Sequence, residues 1–229
     1  MSNHNLPSQP EIILMSDPRL AAVPVRENGE SLIDLAADDR FRVDTSRAFV
    51  NALSPSISKV RSSVAERLLV AERYLPTGIA ILLREGHRPV SVQQFLFDRY
   101  SRKLQASQPN LSGEQLYQEV SKFVAPPSLA PHSTGGAVDV TLIELTSGQE
   151  LDMGSPFNGD PVATQGATFT YAKNIKPVAV SNRRVLIDAM REAGFINYPT
   201  EWWHWSFGDR YWALLSAHAA AVYGSVEAG

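Results

Sequence analysis

The chain has 229 residues, a formal charge of −3 at pH 7, 44% hydrophobic and 20% charged residues, and no cysteine. Such apolar content with so little net charge excludes a disordered chain, and the balance of charges speaks against a nucleic-acid or polybasic membrane surface. Without cysteine there is no disulfide, thiol nucleophile or thiolate ligand, so any metal site must be built from Asp, Glu and the five His.

Residues 1–10 are polar and hold Pro7 and Pro10, which predicts a flexible N-terminal arm ahead of one domain over 11–229. This start lacks the basic end and apolar run of a secretory signal, and no segment reaches the ~20 apolar residues that cross a bilayer. A cytoplasmic protein without membrane insertion is therefore expected. From Glu11 to Asp44, apolar clusters broken by Pro18, Pro24 and Gly29 predict loops with a strand or two. Ser54–Tyr74 has helical spacing through Val60, Val64, Leu68 and Leu69, and Pro76-Thr77-Gly78 stops it. Ile79–Leu83 reads as a short buried strand. Helices are predicted from Ser91 to Leu104 and from Ser112, where Ser112 and Gln115 match a capping box, to before Pro126-Pro127.

Gly136–Leu145 alternates as a strand, with Val138, Val140 and Leu142 on one face. Residues 147–176 form a long loop rich in Gly, Pro, Thr and Asn, a length that points to function or mobility. A helix follows over Ser181–Met190, closed by Gly194. Phe195–Tyr198 and Trp202–Phe207 then read as a strand pair, and Asp209–Tyr223 as a closing helix. Helices first and strands later, without strict βα alternation, predict an α+β fold.

Among the histidines, His4 in the arm and His218 in the Ala-rich terminal helix read as structural or solvated, and His87 as a spacer beside Arg88. His132 precedes Asp139 by seven residues across the Gly135-Gly136 bend, which carries the chain from loop into strand and lets the two side chains converge. Asp139 sits on an apolar strand, on the face opposite Val138 and Val140, where a buried carboxylate needs a partner or a metal. A structural hydrogen bond would serve this pair as well as a metal would. Glu201 and His204 lie three residues apart among Trp202, Trp203 and Trp205; on a strand they face opposite ways unless a turn or bulge intervenes. A Trp-rich core edge with a satisfied His is the other reading of that segment. Taken together, the two segments offer two imidazoles, one carboxylate ligand and one spare carboxylate, which fits a catalytic zinc with three protein ligands, an open position and a base. The short His-Glu-x-x-His signature is absent. Arg183 and Arg184, at a helix start, read as partners of acids or loop carbonyls, and Tyr211 and Trp212 as core.

His132-Ser133-Thr134-Gly135-Gly136-Ala137-Val138-Asp139 resembles the signature Ser-x-His-x-x-Gly-x-Ala-x-Asp, and Glu201-Trp202-Trp203-His204 resembles Glu-x-x-His. Both belong to the zinc D-alanyl-D-alanine dipeptidases of the vancomycin-resistance type, related to the zinc D,D-carboxypeptidases and the Hedgehog signalling domain. Glu85–Ser91, Asp152-Met153-Gly154 with Phe157, and Asn182-Arg183-Arg184 before Gly194-Phe195 are similar to further family segments, in the same order. The resemblance implies a single domain with a central, mainly antiparallel sheet flanked by helices. It implies one Zn²⁺ per chain on His132, Asp139 and His204, Glu201 as the base acting on its water, and Arg88 as the oxyanion donor. Glu85 would orient Arg88 or help shape the site, and Glu85, Asn158, Asp160 and Trp203 are expected at the substrate end. Two positions depart from the pattern: Ala130 stands where the family has Ser, and Asn158 where it has the Asp that receives the free amine of the dipeptide. An amide accepts a hydrogen bond from an ammonium but offers no counter-charge.

The function expected is a zinc dipeptidase acting on D-Ala-D-Ala or a related short D-amino-acid-containing peptide, with that small peptide as its partner. A D,D- or L,D-carboxypeptidase acting on longer peptidoglycan stem peptides is the second reading, because such substrates bring no free amine to position 158. A non-catalytic zinc-binding module is the third, and the spare base Glu201 and oxyanion donor Arg88 argue against it.

Overall fold

Two antiparallel sheets form in the computed structural model, which describes residues 11–46 and 54–227. β1 (Leu32–Asp34) pairs with β2 (Lys59–Arg61); β3 (Ile79–Glu85), β4 (Ala137–Glu144), β5 (Ile196–Asn197) and β6 (His204–Ser206) make the central sheet in the order β3-β4-β6-β5. Helices are α1 (Pro18–Ala22), α2 (Ser62–Glu72), α3 (Val90–Ser107), α4 (Gly113–Ser121), α5 (Pro177–Glu192) and α6 (Arg210–Leu215). Helices around a central antiparallel sheet, with a second small sheet beside it, are the α+β arrangement expected. The predicted arm and His4 lie outside the described residues, and no described helix is long and apolar enough to cross a membrane.

β4 is the centre of the molecule and is buried on both faces. Val138, Val140 and Leu142 join Leu68, Leu186, Met190 and Trp205 in the main core, where α2 and α5 pack on each other and on the sheet. The opposite face carries Asp139. Register sets Asp139 beside Glu85 of β3, after a bulge between Leu83 and Glu85, and beside His204 of β6. Neighbours across a ladder point to the same face, so three polar side chains form one row.

Several elements match the sequence expectation closely. α4 is preceded by the Ser112–Gln115 capping box, and β3, α3 and α5 extend the predicted segments by a few residues. Two helices do not. The predicted Ser54–Tyr74 helix starts only at Ser62, because Lys59–Arg61 pairs with β1. Arg61 is buried there and donates to Thr134 O at 2.8 Å, and Glu30, not a local residue, accepts from Ser63 N at 2.9 Å. Tertiary pairing thus overrides a helical spacing that Val60 shares by coincidence. The predicted Asp209–Tyr223 helix ends at Leu215: Ala217 takes a left-handed φ of 55°, and Ala221 bridges in parallel to Val25. His218 is therefore not helical; it stacks on Trp212 with ring centroids 4.1 Å apart.

The 147–176 loop contains no described helix or strand. It is fastened by Arg183 of α5, whose guanidinium donates to the carbonyls of Met153, Phe169 and Ala167. The loop carbonyls are the partners expected for Arg183, while Arg184 pairs with Asp188.

Candidate active site

Asp139 is 2% exposed and would be costly without partners. Its Oδ1 lies 3.2 Å from His132 Nε2 and 3.0 Å from His204 Nδ1, and those two nitrogens are 3.1 Å apart. His204 reaches this point through the β4–β6 register. His132 reaches it from a 3₁₀ turn over Pro131–Thr134, which Gly135 closes at φ 71°. The left-handed φ of Gly135 is what requires glycine there, since a Cβ would meet only the movable end of Leu32, Cδ2, at 2.4 Å.

His132 Nδ1 lies 2.8 Å from Gly86 O. A carbonyl can only accept, so Nδ1 carries the proton and Nε2 presents its lone pair to Asp139 and His204. Gly86 comes this close because it has no side chain: a Cβ would stand 2.5 Å from Lys59 O. The donor set of two imidazole nitrogens and one carboxylate oxygen lies within 4.8 Å and is buried. Ligands of a tetrahedral zinc at 2.0–2.1 Å would be roughly 3.4 Å apart, close to the separations seen, so the residues fit such an ion.

Electrostatics point the same way. Burial works against the Asp139 carboxylate, but His132 and His204 outweigh it and hold its pKa far below the usual range. Burial likewise opposes a charged His132, and Asp139 overcomes it to raise the imidazole. Two imidazole nitrogens thus face one buried carboxylate, an arrangement that a dication would stabilise.

Glu201 lies outside β6, in the turn from Tyr198 to His204, where Tyr198 O accepts from its N–H at 2.9 Å and Asn197 Nδ2 donates to its carbonyl at 3.0 Å. This turn resolves the strand-face conflict and brings Glu201 and His204 to one cavity. Burial pushes the Glu201 carboxyl up to about 7; His204 pulls it down and Asp139 raises it further. Trp202 and Trp203 are buried beside it, with Phe157 edge-on to Trp203 at 5.4 Å.

Arg88 follows β3. Its Nε donates to Glu85 at 2.6 Å and its Nη1 to Gln93 at 2.7 Å. Burial disfavours the guanidinium, but Glu85 more than compensates and raises its pKa. Gln93, buried in the first turn of α3, also donates to Ala125 O at 2.7 Å. Sequence reasoning missed Gln93; the one signal for it is a polar residue four positions before Phe97 on the inward face.

Arg88, His132, Asp139, Glu201, Trp203 and His204 line one cavity of about 840 Å³. Of the residues expected at the substrate end, Asn158, Asp160 and Trp203 line it, whereas Glu85 sits behind Arg88. Ile12, Leu14 and Met15, which no motif marked, contribute another wall. His87 lies outside the cavity as a buried spacer, with Nδ1 2.7 Å from Ser56 Oγ and Nε2 2.8 Å from Val226 O.

The family model described as Peptidase M15, D-ala-D-ala dipeptidase, matches residues 56–220. The chain belongs to this family. It is a metallopeptidase by that membership. A D-alanyl-D-alanine dipeptidase of Synechocystis sp. is 33% identical over 176 residues, covering 64% of this chain and 69% of the relative. Another from Enterococcus faecalis is 32% identical over 139 residues, covering 58% and 64%. The chain thus spans about two thirds of the length of these curated relatives. Among solved structures, the LdcB LD-carboxypeptidase is similar at 17% identity and a TM-score of 0.47, covering 96% of this chain and 95% of that one.

Proposed function

We propose that this peptidase hydrolyses D-Ala-D-Ala or a related short peptide containing D-amino acids, with one Zn²⁺ held by His132, Asp139 and His204. The observation that carries this is the convergence of three metal-binding atoms in a cavity that Glu201 and Arg88 also line. Zinc, when bound, supplies Lewis acidity and a lowered pKa for water. Glu201 takes the proton from the attacking water and returns it to the leaving amine, and a carboxyl near neutral pKa suits both transfers. Arg88 is held on two of its nitrogens by Glu85 and Gln93; its Nη2 has no protein acceptor among the described residues and serves the oxyanion that develops on the scissile carbonyl. The Trp203–Phe157 wall limits water access and strengthens these interactions.

The test is hydrolysis of D-Ala-D-Ala by zinc-loaded protein, by protein stripped with a chelator, and after zinc is restored. Activity should vanish and return; turnover that survives complete metal removal refutes the proposal. A second reading, a carboxypeptidase acting on longer stem peptides, is favoured by Asn158 and by a cavity of about 840 Å³, in the upper part of the ~300–1,000 Å³ range of small-molecule sites. Cleavage rates of free and N-acylated D-Ala-D-Ala separate the two readings. Strict preference for the free amine excludes the carboxypeptidase.

A further inference from the structure

We propose that Asp209 is a positioning residue for His204, acting on the imidazole through Nε2, directly or through the Ser206 hydroxyl. The inference rests on the metal reading above. His204 Nδ1 faces Asp139 and His132. Its Nε2, on the far side of the ring, is buried and has no hydrogen-bond partner among the described residues. Two residues along β6, on the same face, Ser206 Oγ is also buried without a hydrogen-bond partner among the described residues. Gly208 at φ 76° then turns the chain into α6, which begins at the cap residue Asp209.

Asp209 is 1% exposed. Its Oδ1 accepts from Trp212 N at 2.8 Å, while Oδ2 is buried with no hydrogen-bond partner among the described residues. His204 Nε2, Ser206 Oγ and Asp209 Oδ2 are thus three buried polar atoms left without hydrogen-bond partners among the described residues within one short stretch of chain. Tyr198 closes this region edge-on to His204 with centroids 6.1 Å apart, and Tyr211 lies edge-on to Tyr198 at 5.5 Å.

Capping alone does not account for the residue type, since Ser or Asn caps a helix about as well without burying a charge. Burial raises the Asp209 carboxyl, and the Trp212 N–H, then the Ser206 hydroxyl, then the His204 imidazole pull it back, so Asp209 senses both of these β6 residues. A carboxylate accepting the Nε2 proton would keep the Nδ1 lone pair directed at Asp139 and His132 and make it a better donor to a cation. Loss of such an outer partner typically weakens metal affinity 10–100-fold.

The test uses the full chain and zinc alone. Zinc affinity is measured by competition with a chromogenic chelator, beside the thermal midpoint of the metal-free protein, for wild type, Asp209→Asn and Asp209→Ser. Both substitutions retain an oxygen for the Trp212 N–H, so the metal-free midpoint should stay near wild type while the zinc dissociation constant rises about 10–100-fold. Wild-type zinc affinity in both variants overturns the proposal, as does a lowered midpoint with unchanged affinity, which marks a cap only. A wild-type measurement covers variants that fail to fold: proton NMR of the zinc-loaded chain should show a downfield His204 Nε2 proton protected from exchange. Immediate exchange overturns the inference. Failure of wild type to bind zinc refutes the metal reading itself, and is distinguished by the same titration.

Discussion

Single residues at the site divide by whether their chemistry or their neighbours define them. His132, Asp139, Glu201, His204 and Arg88 could be singled out because their segments resemble family signatures; spacing alone left a structural hydrogen bond and a Trp-rich core edge open. Gln93 could not be, because its role exists only where the first turn of α3 meets Arg88 at 2.7 Å. Under the proposed function, Glu201→Gln removes the proton carrier and leaves the His132, Asp139 and His204 donor atoms in place. Zinc stoichiometry by atomic absorption should be unchanged and turnover reduced by ~10²–10⁴; a fully active variant excludes Glu201 as the base. Arg88→Ala should cost about 10²–10³ in kcat. Arg88→Lys should not rescue it, because an ammonium cannot serve Glu85, Gln93 and substrate with the fixed fork of a guanidinium.

Whole elements follow their own periodicity until a partner from elsewhere in the chain offers more. α4 forms where its capping box places it, whereas Lys59–Arg61 leaves the helical pattern for β1 and residues 216–223 leave it for Val25. Long-range pairing of this kind leaves no local mark in the sequence. The β3–β4 junction shows the same coupling at Gly86, whose carbonyl orients His132. Gly86→Ala pushes a Cβ against Lys59 O and should lower stability by ~1–3 kcal/mol while weakening zinc binding, as denaturant melts and chelator competition would show. Glu72, at the end of α2, has its carboxyl raised by burial, although it accepts from Ile81 N at 2.8 Å on β3. A folded pKa above the unfolded value means that stability is fullest below pH ~4.3 and is lost as pH rises through the folded value. Glu72→Gln keeps an acceptor for Ile81 and removes the titration. Denaturant melts should show its advantage over wild type growing from pH 4 to pH 7.5; an advantage independent of pH contradicts this.

At the scale of the whole molecule, the cavity joins residues 12–15, the α3 face, the 158–161 loop and the 198–204 turn. Residues 12–15 and the α3 face carry no motif, which is why that wall of the cavity was not readable in the sequence, whereas His132, Asp139, Asn158, Asp160, Glu201 and His204 were placed through the resemblance. Asn158 is the position where the substrate end can be tested. It is exposed, lines the cavity and has a φ of 56°. Asp tolerates this left-handed conformation about as well as Asn, so Asn158→Asp adds a charge without new backbone strain. Arg99 and Lys103 line the same cavity and would favour that charge. If the free amine of a dipeptide docks at this position, exchanging a neutral acceptor for a charged one in a partly exposed site adds about 1 kcal/mol, or roughly fivefold. The ratio of kcat/KM for free over N-acylated D-Ala-D-Ala should rise by that factor in Asn158→Asp, with zinc affinity unchanged. An unchanged ratio means that the amine binds elsewhere in the cavity, and an inverted one that the position meets an anionic part of a longer substrate.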